Sequence, residues 1–127
     1  MNKRETTLSK NWLDMLRVQL RESGKRILLT KIHGHAEQDK MVDHIGCFGG
    51  TFIAIEFKVD DEDLTDYQYD YLLSVSRNEG LGIVIRFVGN KVYVTYYTHM
   101  MEKSIEYEIT FPPLSILIEG LEALAPF

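Results

Sequence analysis

Residues 42–58, VDHIGCFGGTFIAIEFK, decide the fold because two apolar runs, 41–45 and 51–59, flank a Gly49-Gly50 pair. Gly-Gly between such runs predicts a β-hairpin with a two-residue turn. Counting outward from a turn centred between the two glycines places Asp43 opposite Glu56. The sequence therefore predicts two acids that face each other across the hairpin.

Like charges at opposed positions need an offsetting charge. Opposed residues on one sheet face have Cβ atoms about 5 Å apart, and like charges placed so destabilise the sheet. A divalent cation between them would offset the repulsion. Period-two alternation puts Glu56 and Lys58 on one face and Phe57 on the other. The preceding run 52–55, FIAI, predicts a central strand buried on both faces. Two acids and an amine are thus expected to converge near the end of a buried strand.

Composition indicates one soluble domain spanning residues 1–127, with 45% hydrophobic and 26% charged residues. No apolar run approaches the roughly 20 residues that span a bilayer, and residues 1–12 lack the apolar core of a signal peptide. Cys47 is the single cysteine and cannot form an internal disulfide, which agrees with a reducing compartment. We expect a cytoplasmic protein with no membrane partner.

Charge argues against tight, non-specific nucleic-acid binding, because the net value is -5. Its distribution is uneven. Residues 1–58 carry ten Lys and Arg against seven Asp and Glu, whereas residues 59–127 carry four against twelve. The basic share lies around the hairpin, and a local patch of this kind can bind DNA.

The remaining periodicities predict an α/β fold with a mixed β-sheet flanked by helices. The expected elements, in chain order, are a helix over 5–22, a strand over 26–33, the hairpin, a helix over 65–79 stopped by Gly80, strands over 81–88, 91–97 and 104–111, and a closing helix over 114–124. The strand, helix, strand order after the hairpin predicts a crossover that joins two parallel strands.

Two polar residues have alternative interpretations. Glu5 falls on the core-facing stripe of the first helix, or it is a first-turn acid favoured by the helix dipole. Gln68 completes a capping box with Thr65, or it faces the sheet near Lys58 on a stripe shared with Leu72 and other helix residues, including Val75 and Glu79. Both pairs of alternatives stay open on sequence alone.

A zinc site is the rival metal prediction. Imidazole and thiolate suit zinc, and the candidate ligands are His33, His35, His44 and Cys47. Their spacing matches no standard zinc pattern, which favours surface or loop histidines. The acid run 60–63 is expected to be a solvated loop, because it lacks the glycine and distal glutamate of a calcium-binding EF-hand loop.

The order of helix, strand, hairpin with Asp…Glu-x-Lys, and helix with Gln resembles the PD-(D/E)XK nuclease superfamily, in particular its VRR-NUC (virus-type replication-repair nuclease) branch. The resemblance covers residues from about 5 to 87 and rests on KIHGHAEQDKMVDHIGCFGGTFIAIEFK and LTDYQ. It implies a restriction-endonuclease-like core. The site residues it implies are Asp43, Glu56, Lys58 and Gln68, with Glu5 matching an acid that some members carry on the first helix.

Two features depart from that branch. Val42 stands where the family motif usually has proline. The tail after Phe87, with the strand NKVYVTYY, is more similar to Holliday-junction resolvases of phages, archaea and Gram-positive bacteria in the same superfamily.

The resemblance implies a structure-selective DNA endonuclease that hydrolyses phosphodiester bonds in branched DNA such as Holliday junctions. It would depend on Mg²⁺, with Mn²⁺ as a substitute, held by Asp43, Glu56 and the Phe57 carbonyl. Lys58 would orient the attacking water or stabilise the pentavalent state, and a salt bridge to Glu56 is the competing explanation for this lysine. A non-catalytic DNA- or partner-binding module and a restriction-type endonuclease are the alternative functions.

The same resemblance implies a symmetric homodimer, the commonest closed assembly. The aromatic strand after residue 90 is the predicted contact surface, through Tyr93, Tyr96 and Tyr97, although such residues are also common strand formers.

Overall fold

A computed structural model of the chain describes residues 3–22, 27–32, 42–48, 50–98 and 102–108. Two helices and six strands lie in these ranges. In chain order they are α1 (Lys3–Glu22), β1 (Ile27–Lys31), β2 (His44–Phe48), β3 (Thr51–Val59), α2 (Asp66–Arg77), β4 (Leu81–Val88), β5 (Lys91–Tyr97) and β6 (Glu102–Glu108).

The strands form one mixed sheet in the order β1-β2-β3-β4-β5-β6. Strands β3 and β4 are parallel, and every other neighbouring pair is antiparallel. The fold is α/β, and the predicted order of a helix, three strands, a helix and a strand, followed by further strands, is confirmed. The helix predicted over 114–124 lies outside the described residues. No helix in the described ranges is both long and apolar enough to cross a membrane.

The register of the β2–β3 hairpin is the one that counting from the glycine turn predicts. His44 lies opposite Ile55, and Phe48 lies opposite Thr51. Strand β2 begins at His44, within the first apolar run, and continues to Phe48.

Gly46 lets β1 approach β2 closely. A Cβ atom at this position would lie 1.7 Å from the carbonyl oxygen of Leu28 in β1. Only a residue without a side chain fits there.

Each face of the sheet carries its own apolar core. The face covered by α1 includes Trp12, whose ring packs edge-on against Phe57 at 6.2 Å between centroids. Phe57 in turn stacks on Phe87 of β4 at 6.0 Å. The opposite face packs against α2 through Val42, Ala54, Leu72, Val75, Val84 and Tyr97.

Alternation along β3 assigns the polar residues to the α2 face. Ala54 belongs to the α2-side core and Phe57 to the α1-side core, so Glu56 and Lys58 lie on the face that α2 covers. Strand β3 is central and mostly buried, as predicted, but Phe52 is 43% exposed beside the exposed Cys47 of β2.

The predicted end of α2 at Glu79 with a stop at Gly80 is wrong by two residues, because α2 ends at Arg77. The Asn78 side chain donates a hydrogen bond to the Ser74 carbonyl at 2.8 Å. Glu79 then adopts the left-handed φ of 64° and leaves the helical stripe on which the sequence placed it.

The predicted aromatic dimer surface is wrong. Strand β5 lies between β4 and β6, Tyr96 is fully buried, and Tyr97 is buried in the α2-side core, where Tyr69 packs edge-on against it. Tyr93 remains partly exposed. Two of the three predicted contact residues are therefore buried within the subunit.

Candidate active site

Asp43 and Glu56 are joined crosswise at the open end of the hairpin. The backbone N–H of Asp43 donates to Oε1 of Glu56 at 2.8 Å, and Oδ2 of Asp43 accepts from the backbone N–H of Phe57 at 2.9 Å. The two acids are only 1% and 2% exposed. Each carboxylate thus fixes the backbone that carries the other.

The residues around Asp43 hold its backbone in place. Val42 is fully buried in the α2-side core, so an apolar side chain fills the position where the family motif usually has proline. The Ile32 N–H donates to the Asp43 carbonyl at 2.8 Å, which extends the β1–β2 pairing by one step beyond His44. Asp43 therefore stands at the end of a ladder rather than in a free loop.

Gln68 occupies both of its predicted roles at once. Its Oε1 accepts from the Thr65 N–H at 3.0 Å, and its own N–H donates to Thr65 Oγ1 at 3.1 Å, which completes the capping box of α2. Its Nε2 donates to Oε2 of Glu56 at 2.9 Å. The helix cap therefore aims the amide nitrogen at a buried carboxylate.

Lys58 supplies the nearby positive charge. Its Nζ lies 3.5 Å from Oε2 of Glu56, and the two side chains are 10% and 3% exposed. The salt bridge that competes with a catalytic role is therefore present. It does not by itself decide the role, because a catalytic lysine on the same sheet face would make the same contact.

The carboxylates of this cluster are buried and compensated by donors and by a positive charge. Burying a carboxylate is costly unless a charge or hydrogen-bond donors compensate it. Asp43 and Glu56 receive backbone and amide donors, and Lys58 brings a positive charge against Glu56.

Glu5 lies in the first turn of α1, but its side chain is outside what the structure describes, so its role stays a prediction. Helix α1 packs on the Phe57 face of the sheet, opposite Glu56 and Lys58.

The two candidate zinc ligands that the structure describes do not lie together. His33 and His35 lie outside the described residues. His44 contacts the Phe57 ring edge-on at 5.6 Å, and Cys47, three residues along β2, falls on the other face of the strand. Within the described ranges, no group of three or more His, Cys, Asp or Glu residues is arranged to hold a metal ion.

Arg86 is a residue of this region that the sequence analysis missed. In the parallel β3–β4 pair it lies beside Lys58, and its Nη1 donates to the carbonyls of Asp60 and Glu62 at 2.8 and 2.6 Å. A signal was present in the sequence, since it is the one charged residue in the otherwise apolar strand LGIVIRFV.

The acidic run 60–63 is an exposed loop, as predicted. Asp60 has a left-handed φ of 53°, and Oε1 of Glu62 accepts from the Val59 N–H at 3.0 Å. The run thus forms a tight connection from β3 towards α2, next to Lys58.

A separate cleft of about 340 Å³ lies near the C-terminal end of α2. Its lining is largely apolar and includes none of the predicted site residues. The lining residues are Phe52, Tyr71, Ser74, Val75, Asn78 and Gly80. Burial, and secondarily the neighbouring Tyr67, raises the pKa of the Tyr71 phenol. The cleft carries no acid and is not part of the carboxylate cluster.

Comparison with models of known protein families and with curated proteins finds no match. Among solved structures, the chain is similar to Hjc, a Holliday junction resolvase from the archaeal hyperthermophile Archaeoglobus fulgidus. The sequences are 18% identical, the match covers 83% of this chain and 92% of that chain, and the TM-score is 0.45. A likeness at this level is too distant to assign an activity.

Proposed function

We propose that this protein is a divalent-metal-dependent DNA endonuclease that hydrolyses phosphodiester bonds. The observation that carries the proposal is the buried Asp43–Glu56 pair, tied crosswise beside Lys58 near the end of a central strand. Two almost fully buried carboxylates with one neighbouring ammonium form a negatively charged oxygen cluster. A magnesium ion that also binds a substrate phosphate would fit this cluster.

The donor set fits a hard cation. Magnesium prefers oxygen ligands, retains several waters and is commonly held by one or two carboxylates plus substrate phosphate. Asp43 and Glu56 would supply the carboxylates. The N–H and C=O of a strand residue point to the same side, and the Phe57 N–H points at Asp43, so the Phe57 carbonyl would be the third oxygen. Bound there, the ion would lower the pKa of a water and neutralise charge on the scissile phosphate.

The other residues position and compensate these groups. Lys58 is placed to orient the attacking water or to stabilise the negative charge that develops on the phosphate. Gln68 holds one oxygen of Glu56, which leaves the orientation of that carboxylate fixed by the cap of α2. Glu5 is proposed as a further acid of the site on the resemblance alone.

The preferred substrate is proposed to be branched DNA such as a Holliday junction, cut by a homodimer. Support comes from the resemblance of the tail after Phe87 to resolvases of the superfamily. Paired cuts on opposed strands require two sites, and the described part of one subunit contains one such cluster.

The deciding experiment is cleavage of end-labelled four-way junction, flap and matched linear duplex DNA with Mg²⁺, with Mn²⁺ or with a chelator. We expect metal-dependent cutting, fastest on the junction. Asp43→Asn should abolish cutting because it removes one of the two metal-binding charges. Asp63→Asn makes the same chemical change in the exposed loop and should cut at the wild-type rate.

One observation favours a second candidate, a non-catalytic DNA- or partner-binding module with the same fold. The oxygens of Asp43 and Glu56 already accept three hydrogen bonds from protein donors, as a purely structural cluster would. Binding of DNA without cutting under any of the metal conditions would select this candidate.

A further inference from the structure

We propose that Arg86 forms a phosphate-binding subsite for the nucleic-acid backbone beside the carboxylate cluster. This inference rests on the proposed function, because it assigns a second contact for the same DNA substrate. Arg86 belongs neither to the Asp…Glu-x-Lys motif nor to either apolar core.

The register of the sheet places Arg86 next to the candidate site. Lys58 on β3 pairs laterally with Arg86 on β4, and Arg86 pairs with Tyr93 on β5. Val84, two residues before Arg86, packs in the α2-side core, so Arg86 lies on the same face as Glu56 and Lys58. An ammonium, a guanidinium and a phenol therefore form one row across three neighbouring strands.

The accessibility of this row rises away from the cluster. Lys58 is buried, whereas Arg86 and Tyr93 are each partly exposed. Neighbouring strands lie about 4.8 Å apart, so the long side chains of Lys58 and Arg86 can reach neighbouring parts of one DNA backbone. A backbone whose scissile phosphate lies at Lys58 could therefore bring an adjacent phosphate to Arg86.

The guanidinium is held in place before any ligand binds. Both described hydrogen bonds of Arg86 use Nη1, which donates to the carbonyls of Asp60 and Glu62. Within the described ranges no hydrogen bond of Arg86 uses Nε or Nη2, and the N–H groups of these two atoms can make a planar, bidentate contact with phosphate oxygens. An arginine fixed in this way loses little side-chain entropy on binding.

The competing explanation is that Arg86 only fastens the acidic loop 60–63 to the sheet. That role accounts for the two carbonyl contacts, but a loop contact predicts no change in the number of phosphates that the protein neutralises. The dependence of DNA affinity on salt measures that number and separates the two explanations.

The test is the dissociation constant of an uncleaved labelled duplex or junction in chelator, measured by anisotropy across a series of salt concentrations. Arg86→Gln should weaken binding by roughly three- to tenfold at low salt and reduce the slope of log affinity against log salt by roughly 0.9. Arg86→Lys should keep the slope, because it keeps the charge. The matched control is Arg77→Gln, an exposed arginine at the far end of α2, which should change neither quantity.

A second measurement on the wild-type protein covers the case in which Arg86→Gln does not fold. Phenylglyoxal modifies exposed arginines, and DNA should protect Arg86 but not Arg77 from it, as mapped by mass spectrometry. Unchanged slope in a folded Arg86→Gln variant, or equal modification of Arg86 with and without DNA, would overturn the subsite and leave the nuclease proposal standing. Failure of the wild-type protein to bind any DNA would instead overturn the proposed function, and the subsite with it.

Discussion

Lys58 has two competing roles, a salt bridge to Glu56 and a contact in catalysis. The structure places its Nζ 3.5 Å from a buried oxygen of Glu56, so removing it must affect stability whether or not it acts in catalysis. Breaking a buried pair leaves an uncompensated charge and can cost about 3 kcal/mol. Here Glu56 keeps its contacts with the Asp43 N–H and the Gln68 amide, so we expect a smaller loss.

We predict that Lys58→Ala lowers the single-turnover cleavage rate by roughly a hundredfold or more while DNA affinity changes little, because a transition-state contact is lost. The rate should be measured well below the melting temperature of the variant, so that its reduced stability does not contribute. Lys10→Ala, in the exposed part of α1, is the control and should match wild type in rate and stability. A destabilised Lys58→Ala protein that still cuts at nearly the wild-type rate would leave only the salt bridge.

At the residue scale, sequence reasoning succeeded where alternation and turn counting fix geometry. The facing of Asp43 and Glu56 follows from the hairpin register alone. Arg86 could not be assigned in the same way, because its neighbours are set by parallel pairing with β3, whose register is not fixed by any turn. The exposure of Phe52 was missed for a related reason, since it depends on how far α2 covers the sheet.

The side-chain amide of Gln68 contributes both to the cap of α2 and to the candidate site. Thr65→Ala removes one half of the capping box without touching Glu56, and loss of such a cap typically costs about 1 kcal/mol. Gln68→Met, of similar size, removes the other half of the cap and also the donor to Glu56.

We predict that Gln68→Met loses more stability than Thr65→Ala, because it also removes a donor to a buried carboxylate. Only Gln68→Met should lose cleavage activity, by roughly tenfold or more, because a misoriented Glu56 binds metal less well. Urea unfolding measures the loss of stability, and single-turnover cleavage at a Mg²⁺ concentration that half-saturates the wild-type protein measures the loss of activity. Equal cleavage rates in the two variants would reduce Gln68 to a capping residue.

At the element scale, sequence patterns were reliable where the boundary has a local cause. Strands β3, β4 and β5 were predicted at their observed bounds, since glycine turns and polar residues limit them. The end of α2 was misplaced because Asn78 caps the helix through its own side chain, whereas Gly80 was expected to do so. Strand β2 begins only at His44, because Val42 packs in the α2-side core ahead of the strand.

At the scale of the whole molecule, the homodimer stays a prediction, but its contact surface is no longer expected on β5. A homodimer is still expected, but Tyr96 and Tyr97 of β5 are buried and unavailable for the predicted contact. Light scattering at assay concentration should give about twice the 14.7 kDa mass of one chain, because paired cuts need two sites. A mass of one chain under conditions in which junctions are cut on both strands would contradict the dimer.

The last prediction concerns how a metal ion changes the stability of the whole fold. The unfolded chain does not hold Asp43 and Glu56 together, so an ion that binds between them stabilises the folded state by mass action, by about 2.7 kcal/mol at a hundredfold excess over its dissociation constant. We therefore expect the melting temperature of the wild-type protein to rise with Mg²⁺ and to fall back with chelator.

Asp43→Asn should remove this response. In chelator the same variant should be as stable as the wild type or more stable, because it relieves the repulsion between two buried carboxylates while the amide oxygen can still accept from the Phe57 N–H. Asp63→Asn, which removes a charge from the exposed loop, should retain the full response.

Calorimetry of the three proteins with and without Mg²⁺ requires no DNA and no turnover, so it tests the metal site independently of the nuclease assay. A wild-type melting temperature that ignores Mg²⁺ and Mn²⁺, together with an Asp43→Asn protein that is less stable in chelator, would show that the carboxylates serve only as hydrogen-bond acceptors for the hairpin.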